Sequence, residues 1–165
     1  EKCILIKKYL TPQSAITEKI IKKDLKMENK INQTSGDARK NSNNYEIKYS
    51  GHAKKSAWNF VQIRPDHDVQ DYVLLGYNMY DESDKDIGKG YVFKVPAEKM
   101  YNLVINYGGY AHGTVGKLGK ITKDNIKGRN CEYALRCDPN SKQGKNKEIF
   151  DELQKYEITY SDSHF

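Results

Sequence analysis

Asp37, Glu46 and Lys48 are the residues of this 165-residue chain whose types and spacing could do hydrolytic chemistry. They stand in SGDARKNSNNYEIKYS, residues 35–50, where Tyr45, Ile47 and Tyr49 alternate with Glu46, Lys48 and Ser50. That is the period of a half-buried strand. NSNN at 41–44 is a turn cluster, and a hairpin folded there brings Asp37 back toward Glu46 and Lys48. Carboxylates gather hard divalent cations, and an ammonium beside them can steady a developing negative charge.

Glu-x-Lys alone carries little weight, because ten glutamates and 24 lysines give about 1.5 such triplets by chance. Two occur, Glu28-Asn29-Lys30 and Glu46-Ile47-Lys48, and only the second has alternating strand residues, a tight turn and Gly-Asp upstream. Gly36-Asp37, eight intervening residues and then Glu46-Ile47-Lys48 resemble the core motif of the PD-(D/E)XK nuclease superfamily. Gly36 stands where the name-giving motif has proline. The resemblance covers residues 14–80 and implies an αβββαβ core, with the two acids and the lysine on consecutive strands. Compact length, dense charge and the lack of a helicase or ligase signature make the chain most similar to a type II restriction endonuclease.

In such a site, phosphodiester hydrolysis needs a hard cation on the phosphoryl oxygen and a water of lowered pKa. Magnesium keeps several waters, so Asp37, Glu46 and the Ile47 carbonyl would suffice to hold it, with manganese as a substitute. Lys48 could orient or deprotonate the attacking water and stabilise phosphorane charge. The plainer alternative is a cross-strand ion pair on a solvated face, worth about 0.5 kcal/mol. Glu18, mid-helix upstream, is a further candidate acid, since some members of the superfamily add one there; a surface charge beside Lys19 and Lys22 is its rival reading. Gln62 and Arg64 could reach phosphate. In the glycine-rich GGYAHGTVGKLGK, residues 108–120, Tyr110, His112, Thr114, Lys117 and Lys120 could meet bases or phosphates. Asp66, His67 and Asp68 are spaced for a turn rather than for convergent metal ligands. The Walker A pattern fails in the glycine-rich loop, so no nucleoside triphosphate is expected. His52-Ala53-Lys54 opens a phospholipase-D-like pattern, but Asn59 occupies its aspartate position.

These residues need elements to place them. A helix is expected over 14–27, with Ile16, Ile20 and Met27 on one face, and strands over 30–39 and 44–50. KKSAWNFVQIRP, 54–65, reads as a helix stopped at Pro65. DYVLLGYNMY, 71–80, reads as a buried strand and GYVFKV as another. Pro96 then opens the helix AEKMYNLVINY. CEYALRC, 131–137, is a strand, 147–156 the last helix, and EITY a short strand-like end. Helices and strands interleave, so the fold class is α/β (α+β) in one nuclease domain over 1–165. The catalytic core would lie at about 14–80 and the DNA-contacting part at about 81–165.

The totals agree with an anionic partner. Net charge is +6 and pI about 9.0, and 13 tyrosines offer apolar rings with wet tips. Three cysteines without paired spacing suit a reducing cytoplasm, and no stretch is apolar enough to span a membrane. The chain opens at Glu1, so it is processed or part of something longer. The expectation is a cytoplasmic, magnesium-dependent endonuclease cutting double-stranded DNA, as a homodimer if its sites are palindromic. Its rivals are a junction-resolving or repair nuclease of the same superfamily, a basic nucleic-acid-binding module without catalysis, and a subunit that needs a partner chain.

Overall fold

Asn41 and Ser42 both carry positive φ, 49° and 67°, the backbone of a two-residue type I′ hairpin. In the computed structural model, which describes residues 14–51, 57–78, 88–111, 119–128 and 131–165, this turn joins β2 (Ala38–Lys40) to β3 (Asn43–Gly51). Before them come α1 (Ser14–Asp24) and the two-residue β1 (Glu28–Asn29). After them follow β4 (Trp58–Ile63), β5 (Asp71–Asn78), β6 (Lys89–Pro96), α2 (Ala97–Tyr107), β7 (Gly109–Tyr110), β8 (Tyr133–Cys137) and α3 (Lys145–Gln154). The fold is mixed α/β. One five-stranded sheet runs β1-β2-β3-β5-β6, with β3 parallel to β5 and the other pairs antiparallel; a smaller sheet runs β4-β8-β7.

Alternation along the strands divides the apolar residues between two cores. Tyr45 and Ile47 of β3, Val73 and Leu75 of β5 and Val92 of β6 bury against Ile21 of α1, Leu25 just after it, and Phe165. Tyr72, Leu74 and Phe93 face the other way, into a larger core with Trp58, Phe60, Leu135, Met100, Val104 and Phe150. β5 is buried on both faces, which explains its unbroken apolar run. Gly76 leaves room for Trp58: a Cβ there would lie 2.6 Å from the indole ring, whose N–H donates to the Tyr77 carbonyl at 3.0 Å.

Three expected elements differ. Instead of a helix over 54–65, residues 58–63 form β4, while 52–56 lie outside the described residues. The cause is a bulge: the register with β8 shifts between Phe60 and Ile63, and Gln62 takes a left-handed φ of 56°. Burial at 58, 60 and 63 therefore departs from strict strand alternation, although Trp, Phe, Val and Ile favour a strand. The strand expected over 30–39 is confined to Ala38–Lys40. Residues 32–35 turn instead, with Asn32 Oδ1 accepting from the Thr34 N–H at 2.9 Å and Ser35 Oγ from the Asn32 N–H at 3.0 Å. The helix expected over 14–27 ends at Asp24; Ile21 within it and Leu25 just after it are buried, Ile20 and Met27 are only half-buried, and the Ile16 side chain lies outside the described residues.

The remaining elements fall where expected: β3, β5, β6, α2, β8 and α3, the last two residues early. EITY runs beside β6, its Ile158 N–H donating to the Val92 carbonyl at 2.9 Å. No helix among the described residues is long and apolar enough to cross a membrane. Cys131 and Cys137 are both buried.

Candidate active site on the open edge of β3

On β3 the backbone of even-numbered residues faces β5, as shown by the Gln70 N–H donating to the Asn44 carbonyl at 3.0 Å. Odd-numbered residues therefore turn theirs toward β2. β2 begins only at Ala38, and the ladder is extended one step by the Asp37 N–H donating to the Tyr45 carbonyl at 2.8 Å. Beyond that step the Ile47 N–H has no strand partner. The Asp37 side chain supplies it: Oδ2 accepts that N–H at 2.8 Å. The Ile47 carbonyl projects from the same edge, as a third oxygen for a cation requires.

Asp37, just before β2, lies close enough to Glu46 and Lys48 to interact electrostatically with both. The Lys48 ammonium donates to Glu46 Oε1 at 2.6 Å, and the two side chains are only 13% and 7% exposed. This pair is buried, so it does not match the solvated ion pair offered as the plainer alternative. Asp37 feels the crowding. Burial first, then the Glu46 carboxylate, push its carboxyl above the ordinary range, and the Ile47 N–H, Lys48 and Lys30 only partly oppose them. Two carboxylates that resist sharing a site are the donor set a divalent cation would relieve.

A cavity of about 300 Å³ opens at this edge, lined by Glu18, Asp37, Ile47, Lys48, Tyr49, Val61 and Gln62. Glu18 reaches it from α1, where it accepts from Lys22 at 2.7 Å, and Lys22 also donates to the Asp37 carbonyl at 3.3 Å. Gln62 arrives through its bulge. A left-handed backbone at a non-glycine residue costs on the order of 1 kcal/mol or more, and here it turns the amide side chain into the cavity beside the two acids.

Gly36 explains the missing proline. Its φ is +72°, which the proline ring forbids, and a Cβ would lie 2.6 Å from the Tyr45 carbonyl oxygen and 2.7 Å from Val69 Cγ1. Gly36→Ala is expected to lower stability by about 2–3 kcal/mol, from the left-handed backbone plus the backbone clash. Urea denaturation checks it. A loss below about 0.5 kcal/mol would show that Asp37 is not locked by this turn.

Other expected contacts are placed elsewhere. Arg64 points away to Glu132, its Nε donating to Oε1 at 2.9 Å, and ties β4 to the approach to β8. The Tyr110 hydroxyl donates to the Gly119 carbonyl at 2.7 Å, and Lys120 is exposed. His112, Thr114 and Lys117 lie outside the described residues, as does His52-Ala53-Lys54. Asp66 accepts from the Gly128 N–H. Sequence reasoning missed His67. The turn at 66–68 does form, but it returns the imidazole so that its Nδ1 lies 3.9 Å from Glu46 Oε2, buried and without a hydrogen-bond partner. No spacing rule signals that contact; it depends on the Asp68 N–H anchoring the turn to the Thr34 carbonyl at 2.8 Å.

Among the described residues no three His, Cys, Asp or Glu side chains form a metal cluster. What the edge offers is a carboxylate pair and a backbone carbonyl, a set that suits magnesium with retained waters rather than zinc. No protein-family model matches the chain, and no curated protein matches it.

Proposed function

We propose that this chain is a magnesium-dependent DNA endonuclease with a PD-(D/E)XK site, of restriction type, acting on double-stranded DNA. One observation carries the reading: Asp37, Ile47 and Lys48 line an open cavity, with Asp37 accepting the Ile47 N–H and Lys48 paired to Glu46. The arrangement of the core adds support, since α1 precedes an antiparallel β1-β2-β3 meander and β5 adds parallel to β3. Among the described residues, the crossover from β3 to β5 contains β4 and not the helix of an αβββαβ core.

Asp37, Glu46 and the Ile47 carbonyl would hold magnesium, or manganese in its place. Bound there, the ion supplies Lewis-acid polarisation of a phosphoryl oxygen and lowers the pKa of a coordinated water. The chain's own residues do the rest. Asp37 is fixed by the Ile47 N–H, so its second oxygen has one direction left to it. Lys48 donates to Glu46 in the free protein, and its ammonium would stabilise charge growing on an attacked phosphate. Gln62 and Glu18 face the same cavity and are positioned to orient the phosphate or its water. A homodimer in the cytoplasm, cutting both strands of a symmetric site, completes the proposal.

The test is incubation of phage DNA with the protein and Mg²⁺, followed by sequencing of fragment ends. Discrete fragments bearing 5′-phosphates are expected. Cutting confined to four-way junctions would move the assignment to a junction-resolving enzyme. Salt-sensitive binding with no cleavage of any DNA in Mg²⁺ or Mn²⁺ would make the chain a binding module.

A further inference from the structure

A second cavity, about 330 Å³, adjoins the site and belongs to the smaller sheet. It is lined by Asn59, Val61, Tyr107, Tyr110, Arg136 and Lys145, among others. Val61 is shared by both cavities, and at 39% exposure it is one of two large apolar side chains left open on the described surface. The bulge that swings Gln62 into the first cavity therefore makes Val61 the ridge between the two.

The chemistry of the second cavity is that of an anion seat with aromatic walls. Arg136 and Lys145 both face it, and neither forms an ion pair with a carboxylate among the described residues. α3 starts at its rim. That helix has Gly144 as its N-cap and no side-chain cap, so the N–H groups of Lys145 and Asn146, both lining the cavity, meet no intrahelical acceptor. Exposed N–H groups at a helix start favour phosphate oxygens, and two cations beside them strengthen the preference.

We propose that this cavity seats the sugar–phosphate backbone of the DNA strand flanking the scissile phosphate, so that β4 is crossed by the substrate from Lys48 over Val61 to Arg136. The inference rests on the nuclease reading for its substrate. Its ligand is a nucleic-acid phosphodiester, held through Arg136, Lys145 and the first turn of α3, with no base read at this point. The contacts position substrate and do not touch the reacting atoms.

The experiment compares wild type with Arg136→Ala/Lys145→Ala, and with Lys99→Ala/Lys123→Ala as a control of equal charge loss away from both cavities. Fluorescein-labelled duplex is titrated in Ca²⁺ at several salt concentrations, and cleavage kinetics are measured separately in Mg²⁺. Loss of two phosphate contacts is expected to flatten the slope of log K against log salt by about 1.8. The cleavage KM rises at least tenfold with kcat held within about twofold, and the control pair moves neither. Circular dichroism melting confirms that both variants fold. An unchanged slope, or a slope that falls equally in the control, overturns the proposal, even if wild type cuts DNA. A slope that falls only in the cavity variant upholds the seat, even if no cleavage is found and the nuclease reading fails. Wild type that does not bind duplex overturns both.

Discussion

Asp37→Asn is expected to abolish magnesium-dependent cleavage, by at least about a thousandfold, while making the protein more stable. On the proposed reading, the loss follows from removing one of the two carboxylates that would hold the cation. The gain follows from the free protein's electrostatics. Asp37 lies close to Glu46, and its carboxyl is held above the ordinary range by burial and by that carboxylate. An asparagine oxygen can still accept the Ile47 N–H while the charge is gone. Relief of such a site is worth on the order of 1 kcal/mol, or about 2–4 °C in Tm for a chain of this length.

The sign with pH is fixed by the direction of the shift. A carboxyl whose folded pKa is raised holds its proton more tightly in the folded state. Its contribution is therefore present at low pH and lost as pH climbs through the raised value. The advantage of the Asp37→Asn variant should be seen at neutral pH and vanish below the ordinary carboxylate range. Mg²⁺ should raise the Tm of wild type and leave the variant's unmoved. Calorimetry at pH 3 and pH 7, with and without Mg²⁺, reads all of these. A variant less stable than wild type at pH 7 would mean that Asp37 is a structural acceptor whose charge the fold needs.

How much of this was legible in the letters depends on whether a residue's partner is local. Asp37, Glu46 and Lys48 could be read because a two-residue turn fixes their register, and Asn41-Ser42 tolerates the left-handed backbone that the turn demands. β5 was legible because it is buried on both faces, so its apolar run needs no knowledge of neighbours. β4 was misread because one bulge residue breaks period-2 alternation, and a break of that kind leaves no mark in composition. The same bulge puts Gln62 in the cavity, so the misread element still delivered a named residue to the site. His67 reads only as a turn residue, and Arg136 is not singled out. Each reaches its place through contacts between elements distant in sequence, Asp68 to Thr34 for one and the β4–β8 pairing for the other. Gly36 lies between these cases. Its departure from proline was visible, but its reason, a left-handed φ under the Tyr45 carbonyl, belongs to the three-dimensional turn.

Lys48→Ala is expected to be harmful twice over, and the two injuries separate. On the proposed reading, catalysis loses an ammonium that would face the attacked phosphate, a loss of about 10²–10³ in kcat for a single electrostatic donor. Stability falls as well, because Glu46 is 7% exposed and would be left buried without its counter-charge. Stranding one member of a buried pair costs about 3–5 kcal/mol, whereas a solvated pair costs at most about 1. Removing both charges in Glu46→Gln/Lys48→Ala should restore most of the lost stability, since the penalty comes from an unpaired charge and not from missing attraction. Mg²⁺ should also restore stability to Lys48→Ala, because a cation at Glu46 and Asp37 replaces the ammonium, yet it should not restore cleavage. Urea denaturation of the single and double variants, with and without Mg²⁺, measures each of these. If Lys48→Ala unfolds at the wild-type midpoint and Mg²⁺ shifts neither protein, Glu46 and Lys48 do not form the buried, cation-replaceable pair on which the hydrolytic site depends.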